Sequence, residues 1–297
     1  MARALLIHNP LAARTRRRTV ESICSVFKAA GWTVDAPGTA HADDAAEIAG
    51  QGVTAGVDVI AVYGGDGTVH SVAGRIGNCV PLGLIPGGTG NLLAGNLRLP
   101  RNPARAAKVI VSGKPRDIDL GRITCNGGVS HFTVACGAGF DAELMAGTSG
   151  PSKRRWKMGA YVVTAWRLLG SHRTVPYRIT VDGDQHELEA ASVLVANCGE
   201  IIPPYLRLRE GISPCDGVLD VVVLNANGFW ESIAVVLQLL TRRAGSDRRI
   251  RHMPGRVVQV ESEELQPVQL DGETAGTTPF TAEVTPGGVR VILPVDA

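Results

Sequence analysis

Residues 57–100 read VDVIAVYGGDGTVHSVAGRIGNCVPLGLIPGGTGNLLAGNLRLP, two short apolar runs that each pass directly into a glycine cluster and then into a helix-like segment. The run at 57–63 is unbroken and β-prone, the pattern of a strand buried on both faces of a parallel sheet. Gly64, Gly65, Asp66, Gly67 and Thr68 begin where that strand must end. Residues 81–85 repeat the pattern and lead into Pro86, Gly87, Gly88, Thr89, Gly90 and Asn91. Two glycine loops leaving neighbouring strand ends line one crevice at the carboxyl edge of the sheet, where open α/β folds bind ligands. Glycine lets backbone N–H groups come close to phosphate oxygens, and the helix start behind each loop adds partial positive charge. The plain alternative is that each cluster is only a tight turn.

Working outward towards the N-terminus, residues 4–8 form a first strand, followed by the loop Asn9-Pro10-Leu11-Ala12-Ala13-Arg14. Val20, Ile23, Val26 and Phe27 have helical spacing over 19–30, and Gly31 supplies a stop. A short strand at 32–35, Thr39 and an alanine-rich helix at 41–55 lead back to the central run. This alternation of strand and helix predicts a parallel, doubly wound sheet. On the other side, 92–96 reads as a short helix, Pro103 opens another to residue 112, and 116–120 is a strand leading into the next domain.

From Gly121 the texture changes. Strand-like runs at 129–136, 176–181, 192–197, 218–224, 256–260, 268–270 and 289–293 are separated by DG, GG and Pro turns, the signature of an antiparallel β-sandwich. Helices at 159–169, behind the basic run Lys153-Arg154-Arg155-Trp156-Lys157, and at 229–243 interrupt it. The division expected is an α/β nucleotide-binding domain at 1–121 and a β-rich domain at 122–297.

Totals narrow the class. A chain of 297 residues is comfortable for two domains. A net charge of +2 with 4% aromatic residues argues against a nucleic-acid partner and against base-stacking platforms. The six cysteines form no C-x-x-C pair, so neither a zinc site nor a disulfide framework is indicated, and a reducing cytoplasm suits them. No run approaches the roughly 18 apolar residues of a membrane span, and the apolar start of the chain, ended by Asn9-Pro10, is too short for a signal-peptide core. There is no Walker A loop, G-x-S-x-G elbow or H-E-x-x-H.

Asp66 narrows the chemistry further. A carboxylate among phosphate-cradling amides repels ATP unless it holds magnesium, binds it through water or receives a substrate proton, which points to phosphoryl transfer. Two DG segments lie further on, Ser213-Pro214-Cys215-Asp216-Gly217-Val218-Leu219-Asp220 and Leu270-Asp271-Gly272-Glu273. Each reads by itself as a hairpin turn.

GGDGT followed by PGGTGN resembles the catalytic domain of the diacylglycerol kinase-like lipid kinases, which include bacterial diacylglycerol kinases, sphingosine kinases and ceramide kinases. The shorter GGDG signature is shared with NAD kinases and phosphofructokinases. The second loop points to the lipid branch, as do the Gly137-Ala138-Gly139-Phe140-Asp141-Ala142 turn and the pattern from Lys153 to Tyr161. The resemblance spans nearly the whole chain. It implies an ATP-dependent lipid kinase with magnesium as cofactor, cytoplasmic or peripheral at a membrane surface where it meets its lipid, with room for a homodimer.

Carried onto this sequence, the resemblance assigns nucleotide contacts to Asn9, Arg14, Thr39, Gly64, Gly65, Asp66, Gly67, Thr68, Gly88, Thr89 and Asn91. It assigns a structural magnesium to the Asp216 carboxylate with the carbonyls of Ser213 and Val218. It brings Glu273 to an interdomain cleft as general base for a lipid hydroxyl, with Asp66 the competing proton acceptor. Five positions depart from the family pattern. Ala12 and Ala13 replace a Ser-Gly pair before Arg14, which stands for a lysine, Gly95 replaces an arginine, and Cys215 replaces an acidic residue. Two other readings therefore stay open: an NAD kinase, and a nucleotide-binding regulator without transfer activity.

Overall fold

The computed structural model describes residues 1–10, 15–41, 44–139, 173–204, 206–241 and 249–295. These fall into two compact units, Met1–Leu120 with Thr285–Ala297, and Gly121–Val284. The first unit thus takes in a C-terminal stretch that the sequence division counts with the second domain.

In the first unit the chain runs β1 (Arg3–His8), α1 (Arg17–Ala29), β2 (Thr33–Asp35), α2 (Asp44–Thr54), β3 (Val59–Gly64), α3 (Asp66–Ile76), β4 (Leu82–Pro86), α4 (Leu92–Asn96), α5 (Pro103–Ser112) and the start of β5 (Lys114–Cys125). The strands β2, β1, β3 and β4 lie side by side in that order and are all parallel. Every residue of β3 and β4 is buried, as an unbroken apolar run demands of a sheet covered on both faces. Ile23 and Phe27 of α1 and Ala106, Ala107 and Ile110 of α5 pack with Leu6, Val59, Ala61, Tyr63 and Ile85.

Helix α1 ends where Gly31 predicts. Ala30 is the last half-helical residue, and Gly31 takes φ +78°. The Trp32 N–H donates to the Phe27 carbonyl at 3.0 Å and the Gly31 N–H to the Lys28 carbonyl at 3.0 Å. This is the Schellman pattern, completed by an apolar contact across the cap: the Phe27 and Trp32 rings stack with centroids 5.7 Å apart.

The second unit begins along β5 and continues with β6 (Gly128–Phe132), β7 (Ala135–Ala138), β8 (Val175–Val181), β9 (Asp184–Ala190), β10 (Ser192–Ala196), β11 (Glu200–Ile202), β12 (Leu206–Arg207), β13 (Leu219–Leu224), α6 (Phe229–Thr241), β14 (Ile250–Gly255), β15 (Val257–Ser262), β16 (Pro267–Leu270), β17 (Glu273–Thr277) and β18 (Phe280–Leu293). One sheet has the order β14-β13-β10-β7-β16-β17, antiparallel throughout. The other contains β9, β8, β15 and the first part of β18, with the β5–β6 hairpin. Their inner faces enclose one core that includes Phe132, Tyr177, Ile179, Val193, Val195, Val221, Val223, Val258, Val260 and Phe280. In β8 the inward set Val175, Tyr177, Ile179 and Val181 alternates with exposed or half-exposed residues, as a half-buried strand requires. The chain passes between the units along β5 and again along β18, whose last part pairs in parallel with β4 through Val291 and Leu82.

Three two-residue hairpins, Asn126-Gly127, Asp182-Gly183 and Asp271-Gly272, have positive φ at both central positions. That is the type I′ turn, whose twist matches the strands it joins. The run at 129–136, expected as one strand, is broken into β6 and β7 at Thr133-Val134. Strands β9 and β17 escape the hydrophobic pattern because DQHELEA and ETAGT are mostly polar and only Ala190 among them is buried. The helix expected at 159–169, its basic run and the 140–142 part of the turn lie outside the described residues.

Gly31 meets no neighbour within 4 Å of a built Cβ, so only its backbone angle argues for glycine. Gly31→Ala is expected to lower stability by about 1 kcal/mol, the strain of a left-handed residue with a side chain, read as a lower urea midpoint at unchanged slope.

Candidate active site

In the first unit the assigned residues gather at the carboxyl ends of parallel strands. His8 ends β1, and its backbone carbonyl accepts the Thr39 N–H at 3.0 Å, which places buried Thr39 beside the start of the loop after β1. The Asn9 N–H donates to the Tyr63 carbonyl at 3.2 Å, tying that loop to the end of β3. Gly64, the last residue of β3, accepts the N–H groups of Gly87 and Gly88 at 2.8 and 3.0 Å. Arg14 lies outside the described residues, as do Ala12 and Ala13.

The two glycine loops are joined by Asp66. It is the first residue of α3, and its carboxylate accepts the Asn91 N–H at 2.8 Å and the Leu92 N–H at 2.5 Å. Asn91, in the left-handed region at φ 52°, folds its amide back onto Gly88, accepting that N–H at 2.9 Å and donating to its carbonyl at 2.9 Å. Close approach of the loops explains the glycines. A Cβ on Gly88 would lie 2.5 Å from the Gly65 Cα, and one on Gly90 would lie 2.6 Å from an Asp66 oxygen. Thr68 packs over Gly64, while Thr89 is exposed at the tip of the second loop. Asp66 thus has a holding role that its spacing in sequence did not reveal.

His8 lies under this edge, its ring against Gly38. Burial holds its pKa below the ordinary 6.5, against a backbone hydrogen bond to Ala36 that raises it.

In the second unit Glu273 opens β17 and is exposed. The Asp271 carboxylate before it is buried and accepts four hydrogen bonds, from the Thr133 N–H and hydroxyl at 2.8 and 2.9 Å and from the Val134 and Ala135 N–H groups at 2.9 and 3.0 Å. These N–H groups are lost to the sheet, which is why the run at 129–136 breaks there. Asp271 stands in the quoted DGE segment, yet nothing in the spacing singled it out.

The residues assigned to magnesium lie in the turn before β13. Asp216 is exposed, its Oδ1 accepting the Val218 N–H at 3.2 Å, and Gly217 takes φ 74°. An exposed carboxylate with neighbouring carbonyl oxygens is the right donor chemistry for a hard cation. Asp220, the second aspartate of the segment, is buried and bonded to His252 Nε2 at 2.5 Å across β13 and β14. Among the described residues no three His, Cys, Asp or Glu side chains cluster as metal ligands. All six cysteines are free thiols, with Cys136 and Cys198 pushed well up, first by burial and then by the nearby Asp271 charge.

Residues 3–123 match the diacylglycerol kinase catalytic domain, and residues 134–293 match the YegS C-terminal NAD kinase beta sandwich-like domain. A diacylglycerol kinase of Bacillus subtilis (strain 168) is 30% identical over 286 residues, covering 94% of this chain and 92% of that protein. An uncharacterized protein of Synechocystis sp. is 27% identical over 249 residues, which are 81% of this chain and 56% of that relative. The crystal structure of a diacylglycerol kinase from Bacillus anthracis str. Sterne superposes with a TM-score of 0.73 at 26% identity, covering 98% of this chain and 96% of that one. A parallel sheet ending in glycine loops, joined to an antiparallel sandwich, is the build of a kinase of this type. The chain belongs to the diacylglycerol kinase-like family of lipid kinases.

Asp66→Asn leaves one oxygen for two N–H donors and turns an amide NH₂ towards the other. The variant is expected to lose about 1–3 kcal/mol of stability, measured by thermal melting. A pH effect is expected from His8. Below pH 6.5 the unfolded chain takes up a proton that the folded chain resists, so stability falls as pH drops from 6.5 to the lowered folded value and levels off beneath it. His8→Gln should flatten that part of the curve of melting temperature against pH.

Proposed function

We propose that this protein transfers the γ-phosphate of ATP to the hydroxyl of a lipid, diacylglycerol or a related one. The observation that carries this reading is the pair of interlocked glycine loops at the carboxyl edge of a parallel sheet, in a chain of the lipid kinase family. Asn9, Arg14, Thr39, Gly64–Thr68, Gly88, Thr89 and Asn91 hold the nucleotide, backbone N–H groups meeting the phosphates where glycine keeps the approach open. Magnesium, when bound, neutralises phosphate charge, and Ser213, Asp216 and Val218 would hold a structural ion through a carboxylate and carbonyl oxygens.

Glu273 takes the proton of the attacking hydroxyl. It is preferred to Asp66 because both Asp66 oxygens already accept loop N–H groups, whereas Glu273 is exposed. Catalysis then rests on positioning and charge neutralisation rather than on a covalent intermediate. No helix among the described residues is long and apolar enough to cross a membrane. The lipid is instead met at a membrane surface, a reading supported by Trp230 and Leu237, 78% and 54% exposed on α6.

The test is labelled ATP offered with detergent-dispersed diacylglycerol, sphingoid bases, polyprenols, glycolipids and, in parallel, NAD. Label is expected in a lipid, and Glu273→Gln is expected to lower kcat by about 10²–10⁴-fold, the usual worth of a general base, without loss of ATP binding. Label in NAD alone would favour the NAD kinase reading, and ATP binding without transfer to any acceptor would favour the inactive regulator.

A further inference from the structure

The geometry points to Asp271 as the positioning residue for Glu273, acting through a hub at Thr133, Val134 and Ala135 that also holds the start of the segment leading to Asp216. The inference rests on the reading of Glu273 as general base and adds the device that places it. An exposed glutamate on a short polar strand has many conformations open to it. A proton acceptor must instead stay within hydrogen-bond reach of one hydroxyl, so its backbone needs fixing from elsewhere.

That fixing is visible on both sides of Glu273. Two residues before it, the Asp271 side chain accepts three backbone N–H groups and the Thr133 hydroxyl, while its own N–H donates to the Ala135 carbonyl at 2.9 Å. Asp271 and Gly272 take φ 47° and 91°, and the Gly272 N–H donates to the Gln269 side chain at 2.8 Å. Leu270 pairs with Glu273 across the turn. Four residues after Glu273, the Asn126 Oδ1 accepts the Thr277 N–H at 2.9 Å. The strand that presents Glu273 is therefore gripped at both ends.

A plain hairpin needs none of this. Aspartate suits a type I′ turn for its backbone alone, with the side chain in water. Here it is buried instead and exchanges water for a complete set of donors, an arrangement that specifies one position.

The hub has a second load. The Thr133 carbonyl accepts the Asn197 side-chain amide at 2.9 Å, and the Val134 carbonyl accepts the N–H groups of Asn197 and Cys198 at 2.8 and 3.1 Å. The break at Thr133-Val134 and the first residue of β7 thus anchor both the turn that carries Glu273 and the chain that runs on to the Ser213–Val218 loop.

The experiment uses the full-length protein, labelled ATP and whichever detergent-dispersed lipid accepts label, below the melting temperature of every variant. Asp271→Asn is expected to lower kcat by about 10- to 100-fold, the effect of misplacing a reacting group by roughly 1 Å, with the KM values for ATP and lipid little changed. Thr133→Val, which removes one of the four bonds and keeps the backbone donors, should fall between it and the parent, and it carries the test if Asp271→Asn does not fold. The double variant Asp271→Asn with Glu273→Gln, or Thr133→Val with Glu273→Gln, is expected to have a kcat no lower than Glu273→Gln alone, because both changes remove one function. Losses that multiply, or a folded Asp271→Asn with the parent kcat, would overturn the positioning role while leaving Glu273 as base. An unchanged kcat in Glu273→Gln itself would remove the base and the positioning role together.

Discussion

Backbone N–H groups that leave a strand or open a helix must find acceptors, and in both units a single aspartate provides them. Asp66 accepts the N–H groups of Asn91 and Leu92 at the start of α4, and Asp271 accepts those of Thr133 and Val134 between β6 and β7 and of Ala135 at the start of β7. A buried N–H without a partner costs as much as a lost hydrogen bond, so these carboxylates decide where irregular backbone is allowed. The irregular places are the ones that bear the candidate chemistry: the paired glycine loops in one unit, the DGE turn in the other.

The units satisfy their remaining backbone in contrasting ways. The first uses a parallel sheet, whose strands must be covered on both faces and whose connections must cross over as helices. The two glycine loops that follow β3 and β4 consequently emerge on one edge. The second uses antiparallel hairpins closed by Asn-Gly and Asp-Gly pairs, which return each strand beside its predecessor and leave short turns free to carry single functional side chains. A phosphate needs many converging N–H groups, while a proton needs one carboxylate.

Two departures from the family pattern fall on described residues, Gly95 within α4 and Cys215 in the turn before β13. Gly95 and Cys215 leave the strands, the Asp66 lock and the Asp271 hub in place. Asp216 remains exposed beside Cys215, and the neighbouring Asp220 is committed to His252. The candidate metal loop thus has less charge to offer than the two aspartates of its motif imply.

The parallel sheet, its two glycine loops, the Gly31 stop and the change to short strands after Gly121 were legible in the sequence, because each depends on neighbours in the chain: apolar periodicity, a residue free to take positive φ, a turn pair. Hydrophobic patterning missed β9 and β17, since their polar residues pair through the backbone. Tertiary structure alone decided the split of the run at 129–136, the return of residues 285–297 to the first unit and the roles of Asp66 and Asp271 as acceptors. The partners of Asp66 lie 25 and 26 residues away and those of Asp271 136 to 138 away. A carboxylate's choice of donors across such distances is set by how the strands pack, and local sequence carries no record of it.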